Sequence, residues 1–146
     1  MKVLVDTSIW SLALRRKSGD LNHREQRLTQ RLTELVHDDR IVMIGPIRQE
    51  LLSGIRSSAA FERLKRRLRA YEDEPLTVDD YESAAEMGNT CRAAGVSGSA
   101  IDFLICAVTR RRGLAIFTTD RDFSRYAASV PVKLYTADAA DREHLS

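Results

Sequence analysis

The sequence predicts one α/β domain, built on a parallel sheet that is covered by helices on both faces. Three short apolar segments, at residues 3–5, 41–44 and 114–118, are rich in the residue types that favour strands. Segments with the apolar spacing of amphipathic helices separate them. Because these strands are apolar throughout rather than alternating, we expect both faces of the sheet to be buried. A chain of 146 residues is long enough for one such domain with its own core.

The remaining elements follow from apolar spacing and from residues that begin or end helices. We predict helices at about residues 9–16, 22–37, 46–55, 59–71, 79–91, 99–110 and 121–128. Pro46 suits the first turn of the third helix, and Asp79 with Glu82 predicts a capping box for the fifth. Two further strands are expected at residues 76–78 and 132–135. We treat residues 1–146 as a single domain with a polar tail from about residue 138.

The composition is that of a globular protein, with 43% apolar and 30% charged residues. No apolar segment is long enough to cross a membrane, and no secretory signal is visible at the N-terminus. Cys91 and Cys106 lie in apolar helical patterns, and two thiols without a suitably spaced histidine cannot form a zinc site. We therefore expect reduced core cysteines in a cytoplasmic protein that has no membrane partner.

The formal net charge is only +2, but basic residues occur in clusters. Arginine predominates in these clusters, and its planar guanidinium group suits phosphate. Solvated helix faces and a nucleic-acid-binding surface explain such clusters about equally well. The candidate RNA-binding residues are Arg15, Arg16, Lys17, Arg63, Lys65, Arg66, Arg67 and Arg69, and a further basic cluster spans residues 110–112.

Four acidic residues are expected at the carboxyl edge of the sheet, where parallel α/β folds place their functional groups. Asp6 and Asp120 follow predicted strands, whereas Glu50 and Asp102 lie in the first turns of predicted helices. Crowded carboxylates repel one another unless a cation lies between them. Mg²⁺, with Mn²⁺ as a substitute, is the hard cation that such oxygens prefer, and it can activate water for phosphodiester hydrolysis.

Each acid also has a structural explanation. Asp6 and Asp120 could cap the helices that follow them, and Asp102 stands three residues after Ser99 in a capping-box spacing. Glu50 lies beyond the capping positions, but an exposed helical glutamate needs no special explanation. Any one of these acids alone is weak support for a catalytic site, so their order along the chain has to decide.

Four motifs in that order resemble those of the PIN-domain ribonucleases, in particular the VapC toxins of toxin–antitoxin pairs. The first motif is LVDTSIW and the second is PIRQEL, which ends beside Glu50. The third is SAIDFLI, and the fourth is FTTDRDF. Together these motifs, at residues 4–10, 46–51, 99–105 and 117–123, extend over nearly the whole chain.

The resemblance implies a three-layer α/β/α domain with a mostly parallel five-stranded sheet and a metal-dependent endoribonuclease activity. The residues that it implies as catalytic and as ligands of one or two Mg²⁺ or Mn²⁺ ions are Asp6, Glu50, Asp102 and Asp120. Hydrolysis by a metal-activated water would leave 5′-phosphate and 3′-hydroxyl ends. The hydroxyls of Thr7 and Thr118 would orient the acids. Asp122 is a possible fifth acid, but we prefer the simpler explanation that it is a carboxylate favoured at a helix start.

The same resemblance implies an RNA substrate, a homodimer and a small VapB-like antitoxin that silences a toxin inhibiting translation. RNA would approach along the basic clusters through phosphate contacts. Two alternatives keep the family but change the role, either RNA maturation or decay, or RNA binding without catalysis. A phosphoaspartyl phosphatase is disfavoured because Ser8 stands where its second aspartate is needed, and a receiver domain lacks its paired acids after strand one.

Overall fold

The computed structural model describes residues 1–136, so the predicted tail from about residue 138 lies outside the described part of the chain. The strands are β1 (Val3–Val5), β2 (Ile41–Val42) and β3 (Ala115–Phe117). The α-helices are α1 (Thr7–Leu14), α2 (His23–His37), α3 (Gly45–Leu52), α4 (Ser58–Leu68), α5 (Val78–Ala93), α6 (Ala100–Arg112) and α7 (Asp122–Ala127). A 3₁₀ turn, Ser18–Asp20, lies between α1 and α2.

The sheet is parallel, with β1 at its centre and the order β2-β1-β3. Val3 pairs with Ile41 on one side and with Ala115 on the other. Successive strand side chains point to opposite faces, and all three residues of β1 have 0% exposure, so both faces of the sheet are covered. The predicted α/β class with a parallel sheet is confirmed.

The prediction of five strands is not confirmed, because the described residues form three. A single parallel bridge adds to each edge, between Met43 and Asp73 and between Ile116 and Leu134. The strand expected at residues 76–78 is wrong, since Val78 begins α5 and the chain meets the sheet edge at Asp73 instead. The segment 132–135 joins β3 through the bridge at Leu134, the backbone hydrogen bonds on either side of it and the contact between the rings of Tyr135 and Phe117.

Helix α6 forms much of the core, because every residue from Phe103 to Thr109 is buried. It packs along α5, where Gly88 allows close approach: a Cβ atom there would lie 3.1 Å from the ring of Phe103. Cys91 and Cys106 are free and buried between these elements. Burial raises the pKa of both thiols, that of Cys106 to about 12, so neither forms the reactive thiolate near neutral pH.

Several helix ends follow the sequence signals. Asn22 and Glu25 form a reciprocal capping box at the start of α2, with hydrogen bonds of 2.8 and 3.1 Å. Gly113 ends α6 in the left-handed conformation, at φ 65°. The box predicted from Asp79 and Glu82 is wrong, since the N-cap of α5 is Thr77 and Asp80 is its partner in the capping box.

Asp80 is the acid that secures the start of α5. Its Oδ2 accepts the Thr77 backbone N–H at 2.8 Å, and its side chain is fully buried. Arg111 and Arg112, at the end of α6, donate to the same carboxylate at 2.8–3.0 Å. The basic cluster at residues 110–112 therefore holds α6 against α5 through at least two of its three arginines.

Another arginine, Arg48 on α3, holds the chain after α4 at the edge of the sheet through hydrogen bonds. It donates to the Leu68 carbonyl at 2.8 Å, to the Tyr71 carbonyl, and to Asp73 at 2.9 Å. This contact sets the register of the Met43–Asp73 bridge and places α3 beside β2. No helix within residues 1–136 is both long and apolar enough to cross a membrane.

Candidate active site

Asp6 lies directly after β1, with 7% exposure, and its backbone N–H donates to the Phe117 carbonyl at 2.9 Å. Its Oδ2 accepts hydrogen bonds from Ser8 Oγ at 2.9 Å and from Thr118 Oγ1 at 2.8 Å. Asp6 also occupies the N-cap position of α1, yet its side chain makes no capping hydrogen bond. The capping explanation therefore does not account for this carboxylate.

The Thr118 hydroxyl connects Asp6 to Asp120. Besides donating to Asp6, it accepts the Asp120 backbone N–H at 2.9 Å. Ser8 Oγ accepts the Thr119 N–H at 3.0 Å, so the segments that follow β1 and β3 are joined twice. Asp120 Oδ1 accepts the Asp122 N–H at 2.9 Å, which leaves its second oxygen without a hydrogen bond in the described chain.

Asp102 completes a group of three aspartates. Ser99 Oγ caps α6 by accepting the Asp102 N–H at 3.1 Å, and Asp102 Oδ2 accepts the Tyr126 hydroxyl at 2.6 Å. The pKa of Asp102 is raised, first by burial and then by the negative charges of Asp120 and Asp6, against the opposing effect of its hydrogen bonds. The charges of Asp6 and Asp120 therefore act on Asp102, and a shared site for the three acids stays a prediction.

Glu50 stands apart from this group in the structure. It is exposed on α3, which starts where the chain leaves the sheet after β2. It makes no hydrogen bond or ion pair with another described residue, and no contact joins it to the three aspartates. Its place in a shared site stays a prediction.

The three aspartates offer the donors that a hard cation needs. Each has one oxygen fixed by an internal hydrogen bond and one that accepts none from residues 1–136. No described lysine or arginine forms an ion pair with them. Yet in this part of the chain no three acidic, histidine or cysteine side chains already meet at metal-binding spacing. The donor chemistry fits Mg²⁺ or Mn²⁺, and ligation requires the carboxylates to turn toward a shared ion.

One predicted supporting residue differs from expectation, and two supporting residues were missed. The Thr7 hydroxyl is buried without a hydrogen-bond partner in the described residues, whereas Ser8 contacts Asp6. Asp122 is half-buried at the start of α7 and pairs with Arg125 at 3.4 Å. Tyr126, which no sequence motif indicated, contacts Asp102. Its only signal was its spacing of three residues from Phe123 on the inner face of α7.

The two candidate basic clusters meet between α1 and α4. Arg15, Arg63 and Arg67 line a cavity of about 350 Å³ whose apolar wall includes Leu14 and Leu64. The other predicted residues are exposed or half-buried on the same elements or next to them. Some of their charge is compensated, since Arg16 pairs with Glu25 at 2.8 Å and Lys65 with Glu62 at 3.7 Å.

Comparison with known proteins identifies the fold family. Residues 3–129 match the family model of the PIN domain. The chain belongs to the PIN-domain family. The resemblance indicated by the four motifs is therefore confirmed, and the acids of this PIN domain lie in the positions that those motifs predicted along its elements. No curated protein sequence matches the chain.

Solved structures with the same fold include a toxin and a protein bound to promoter DNA. FitAcB from Neisseria gonorrhoeae is 20% identical, with a TM-score of 0.72 over 92% of this chain and 97% of that one. VapBC2 from Rickettsia felis, bound to a promoter DNA fragment, is 17% identical, with a TM-score of 0.71 over 92% and 98%. VapC20 from Mycobacterium tuberculosis, a toxin that cleaves the sarcin-ricin loop, is 23% identical, with a TM-score of 0.62 over 90% and 99%.

Proposed function

We propose that this PIN domain is a metal-dependent endoribonuclease and the toxin of a toxin–antitoxin pair that inhibits translation. The observation that carries the proposal is the link that the Thr118 hydroxyl makes between Asp6 and Asp120 at the carboxyl edge of the sheet, with Asp102 near enough for its charge to interact with theirs. Each acid keeps a free oxygen, and the pKa of Asp102 is raised by burial and, to a smaller extent, by the charges of the other two. Such an arrangement is costly to stability and needs a compensating function.

The residues that would hold Mg²⁺ or Mn²⁺ are Asp6, Asp102 and Asp120, joined by Glu50 from α3. When bound, the cation polarises a phosphoryl oxygen and lowers the pKa of water, which supplies the nucleophile for phosphodiester hydrolysis. Ser8 and Thr118 keep Asp6 in a fixed orientation through Oδ2. Thr118 also fixes the backbone of Asp120, so that a single hydroxyl sets the relative position of two acids.

The RNA backbone would be bound by the cavity between α1 and α4. Arg15, Arg63 and Arg67 surround it, and guanidinium groups bind phosphate oxygens in pairs. The neighbouring candidates are Arg16, Lys17, Lys65, Arg66 and Arg69. Phosphate contacts of this kind set affinity and register more than sequence choice.

The proposed protein partners are a VapB-like antitoxin and a second copy of the chain. The fold is shared with VapBC2, which binds a DNA fragment from its own promoter, and with the toxin VapC20, which supports the first. For the homodimer we assign the outer face of α5 and α6, where Tyr81 and Ile101 line an apolar cavity of about 440 Å³. Val78 and Tyr81 there are 71% and 55% exposed, unusual for such large apolar residues. The proposed compartment is the cytoplasm.

Two other roles use the same fold. A nuclease of RNA maturation or decay would cut one precursor and would lack an antitoxin partner. A binding module without catalysis would bind RNA but leave it intact with every metal. The complete set of free carboxylate oxygens favours catalysis, because RNA binding alone gains nothing from negative charge beside phosphate.

The test is cleavage of total cellular RNA by purified protein with Mg²⁺, with Mn²⁺ and with a chelator, beside Asp6→Asn. We expect discrete fragments that require metal and disappear in Asp6→Asn. The matched control is Asp79→Asn, which removes an exposed acid of α5 and should cut as the wild type does. RNA that stays intact with both metals, or an Asp6→Asn variant as active as the wild type, would overturn the nuclease proposal.

A further inference from the structure

One buried hydroxyl is aimed at the acidic group from outside it. Tyr126 Oη, on α7, donates to Asp102 Oδ2 at 2.6 Å. The residue is 1% exposed, and its ring packs against Phe103 at 4.9 Å and Phe123 at 5.4 Å between ring centroids. A phenol held on two sides by aromatic rings has little freedom to turn, so the direction of its O–H bond is set by the core.

The loop before α6 leaves space for this hydroxyl. A Cβ atom on Gly98 would lie 2.7 Å from Tyr126 Cζ and 2.8 Å from Cε1, closer than side chains approach one another, and closer still to the hydroxyl oxygen. The backbone of Gly98 carries no unusual φ, so the absence of a side chain serves clearance and not a turn. Any larger residue at this position must displace the tyrosine ring from Asp102.

The hydrogen bond divides the two oxygens of Asp102 between two tasks. Oδ2 is held by Tyr126, and Oδ1 accepts no hydrogen bond within residues 1–136. The charges of Asp6 and Asp120 repel this carboxylate and would turn it away from them. A rigid donor on the far oxygen opposes that rotation, as outer hydrogen bonds to metal-ligating groups do.

We propose that Tyr126 is a positioning residue that holds Asp102 with one oxygen free for a divalent cation shared with Asp6 and Asp120, and that Gly98 provides the clearance this requires. The inference rests on the proposed nuclease function and assigns two residues to it that lie outside all four sequence motifs. A buried tyrosine hydroxyl needs a partner for stability in any case, so the test must separate positioning from simple hydrogen-bond satisfaction.

The first measurement is Mn²⁺ binding by titration calorimetry of the purified protein, comparing the wild type with Tyr126→Phe. This change keeps the ring packing and removes only the hydroxyl. We expect Mn²⁺ affinity to fall about tenfold or more, with kcat for RNA falling by a similar factor and KM for RNA unchanged. The control is Tyr71→Phe, since the Tyr71 hydroxyl makes no hydrogen bond in the described chain, and it should bind Mn²⁺ like the wild type.

The second measurement compares the Mn²⁺ affinity of Gly98→Ala with that of the double variant that also carries Tyr126→Phe. Both changes act through one hydrogen bond, so their effects on Mn²⁺ affinity should not add. Unchanged Mn²⁺ affinity in Tyr126→Phe, or additive losses, would overturn the positioning role while wild-type cleavage keeps the nuclease proposal. A wild type that neither binds Mn²⁺ nor cuts RNA would overturn both. If Tyr126→Phe does not fold, the Mn²⁺ affinity of Gly98→Ala is the test. A Gly98→Ala protein that binds Mn²⁺ as tightly as the wild type would then refute the proposal.

Discussion

The hydroxyl of Thr118 donates to Asp6 Oδ2 at 2.8 Å and thereby joins the ends of two neighbouring parallel strands, 112 residues apart in sequence. The same oxygen accepts the Asp120 N–H, so one side chain positions two acids. Because the register pairs Val5 with Phe117, the next residues along each strand necessarily meet at this edge. The site is thus a direct consequence of the strand register.

Replacing Thr118 by valine removes this hydroxyl while keeping the β-branched shape. We expect cleavage to fall about 10- to 100-fold, the usual effect of removing a hydrogen bond that orients a metal ligand. The free energy of unfolding should fall by about 1–3 kcal/mol, because the Asp120 N–H loses its partner. Steady-state RNA cleavage and urea denaturation measure the two effects. Thr118→Ser, which restores the hydroxyl, should recover most of both, and failure to do so would contradict this role.

Repulsion within the acidic group makes a prediction about stability and pH. The pKa of Asp102 is raised in the fold, so between its unfolded and folded values the native state binds more protons than the unfolded chain. Stability therefore falls as pH rises through this window, and the loss is complete at neutral pH. Asp102→Asn should remove the loss, making the variant more stable than the wild type at pH 7 while abolishing cleavage.

The measurement is urea denaturation of both proteins with chelator across the acid range up to pH 7. The stability difference in favour of Asp102→Asn should grow with rising pH and then level off. A difference that is constant with pH, or one that favours the wild type at neutral pH, would show that burial and repulsion do not raise the pKa of this residue.

The sequence predicted three of the strands, and the places of Asp6 and Asp120 after two of them, because these features depend on local patterns. Asp6 and Asp120 follow apolar strands, and a parallel register brings such positions together without further information. The prediction assigned a hydrogen bond to the wrong residue where two neighbouring residues could each have made it. Ser8 and Thr7 are both adjacent hydroxyls, and only the turn into α1 decides that Ser8 faces Asp6. Likewise, Asp80 and Glu82 could each be the acidic partner in the capping box of α5, and the burial of Asp80 decides between them.

Long-range contacts were beyond the reach of sequence patterns. Nothing near Tyr126 indicates that its hydroxyl meets Asp102, 24 residues earlier, because that contact depends on how α7 packs on α6. In the same way, Arg111 and Arg112 belong to a basic cluster in the sequence but bind a buried acid in the structure. Charge patterns alone therefore overestimate the surface that is free for nucleic acid.

The buried carboxylate of Asp80 should be essential to the fold and irrelevant to catalysis. Hydrogen bonding to Arg112 holds its pKa well below the usual range. Asp80→Asn should lower the free energy of unfolding by about 3 kcal/mol, since two arginines lose their charged partner. This stabilisation is present above the unfolded pKa of an aspartate and is lost as pH falls below it toward the depressed folded value. The control is Asp79→Asn. The Asp79 carboxylate lies 3.6 Å from Arg111, but its side chain is 74% exposed, so this change should alter the free energy of unfolding little.

These two variants are compared by urea denaturation at pH 7 and at acidic pH. Asp80→Asn should lose much of the acid sensitivity of the wild type, and the folded fraction should retain wild-type cleavage. Equal stability of the two variants at pH 7 would show that the buried ion pair does not hold α5 and α6 together.

If the cavity between α1 and α4 binds RNA, the affinity for RNA should depend on salt through its arginines. If Arg63 and Arg67 bind RNA phosphates, replacing both by alanine weakens RNA binding for all sequences alike. The slope of log affinity against log salt should become shallower by about 0.7 for each phosphate of single-stranded RNA that is no longer neutralised. Binding is measured with the cleavage-deficient Asp6→Asn protein, so that the RNA stays intact. Removing the exposed Arg24 and Arg27 of α2 changes net charge equally and should leave the slope nearly as it was. Equal slopes for both double variants would mean that net charge, and not this cavity, governs RNA binding.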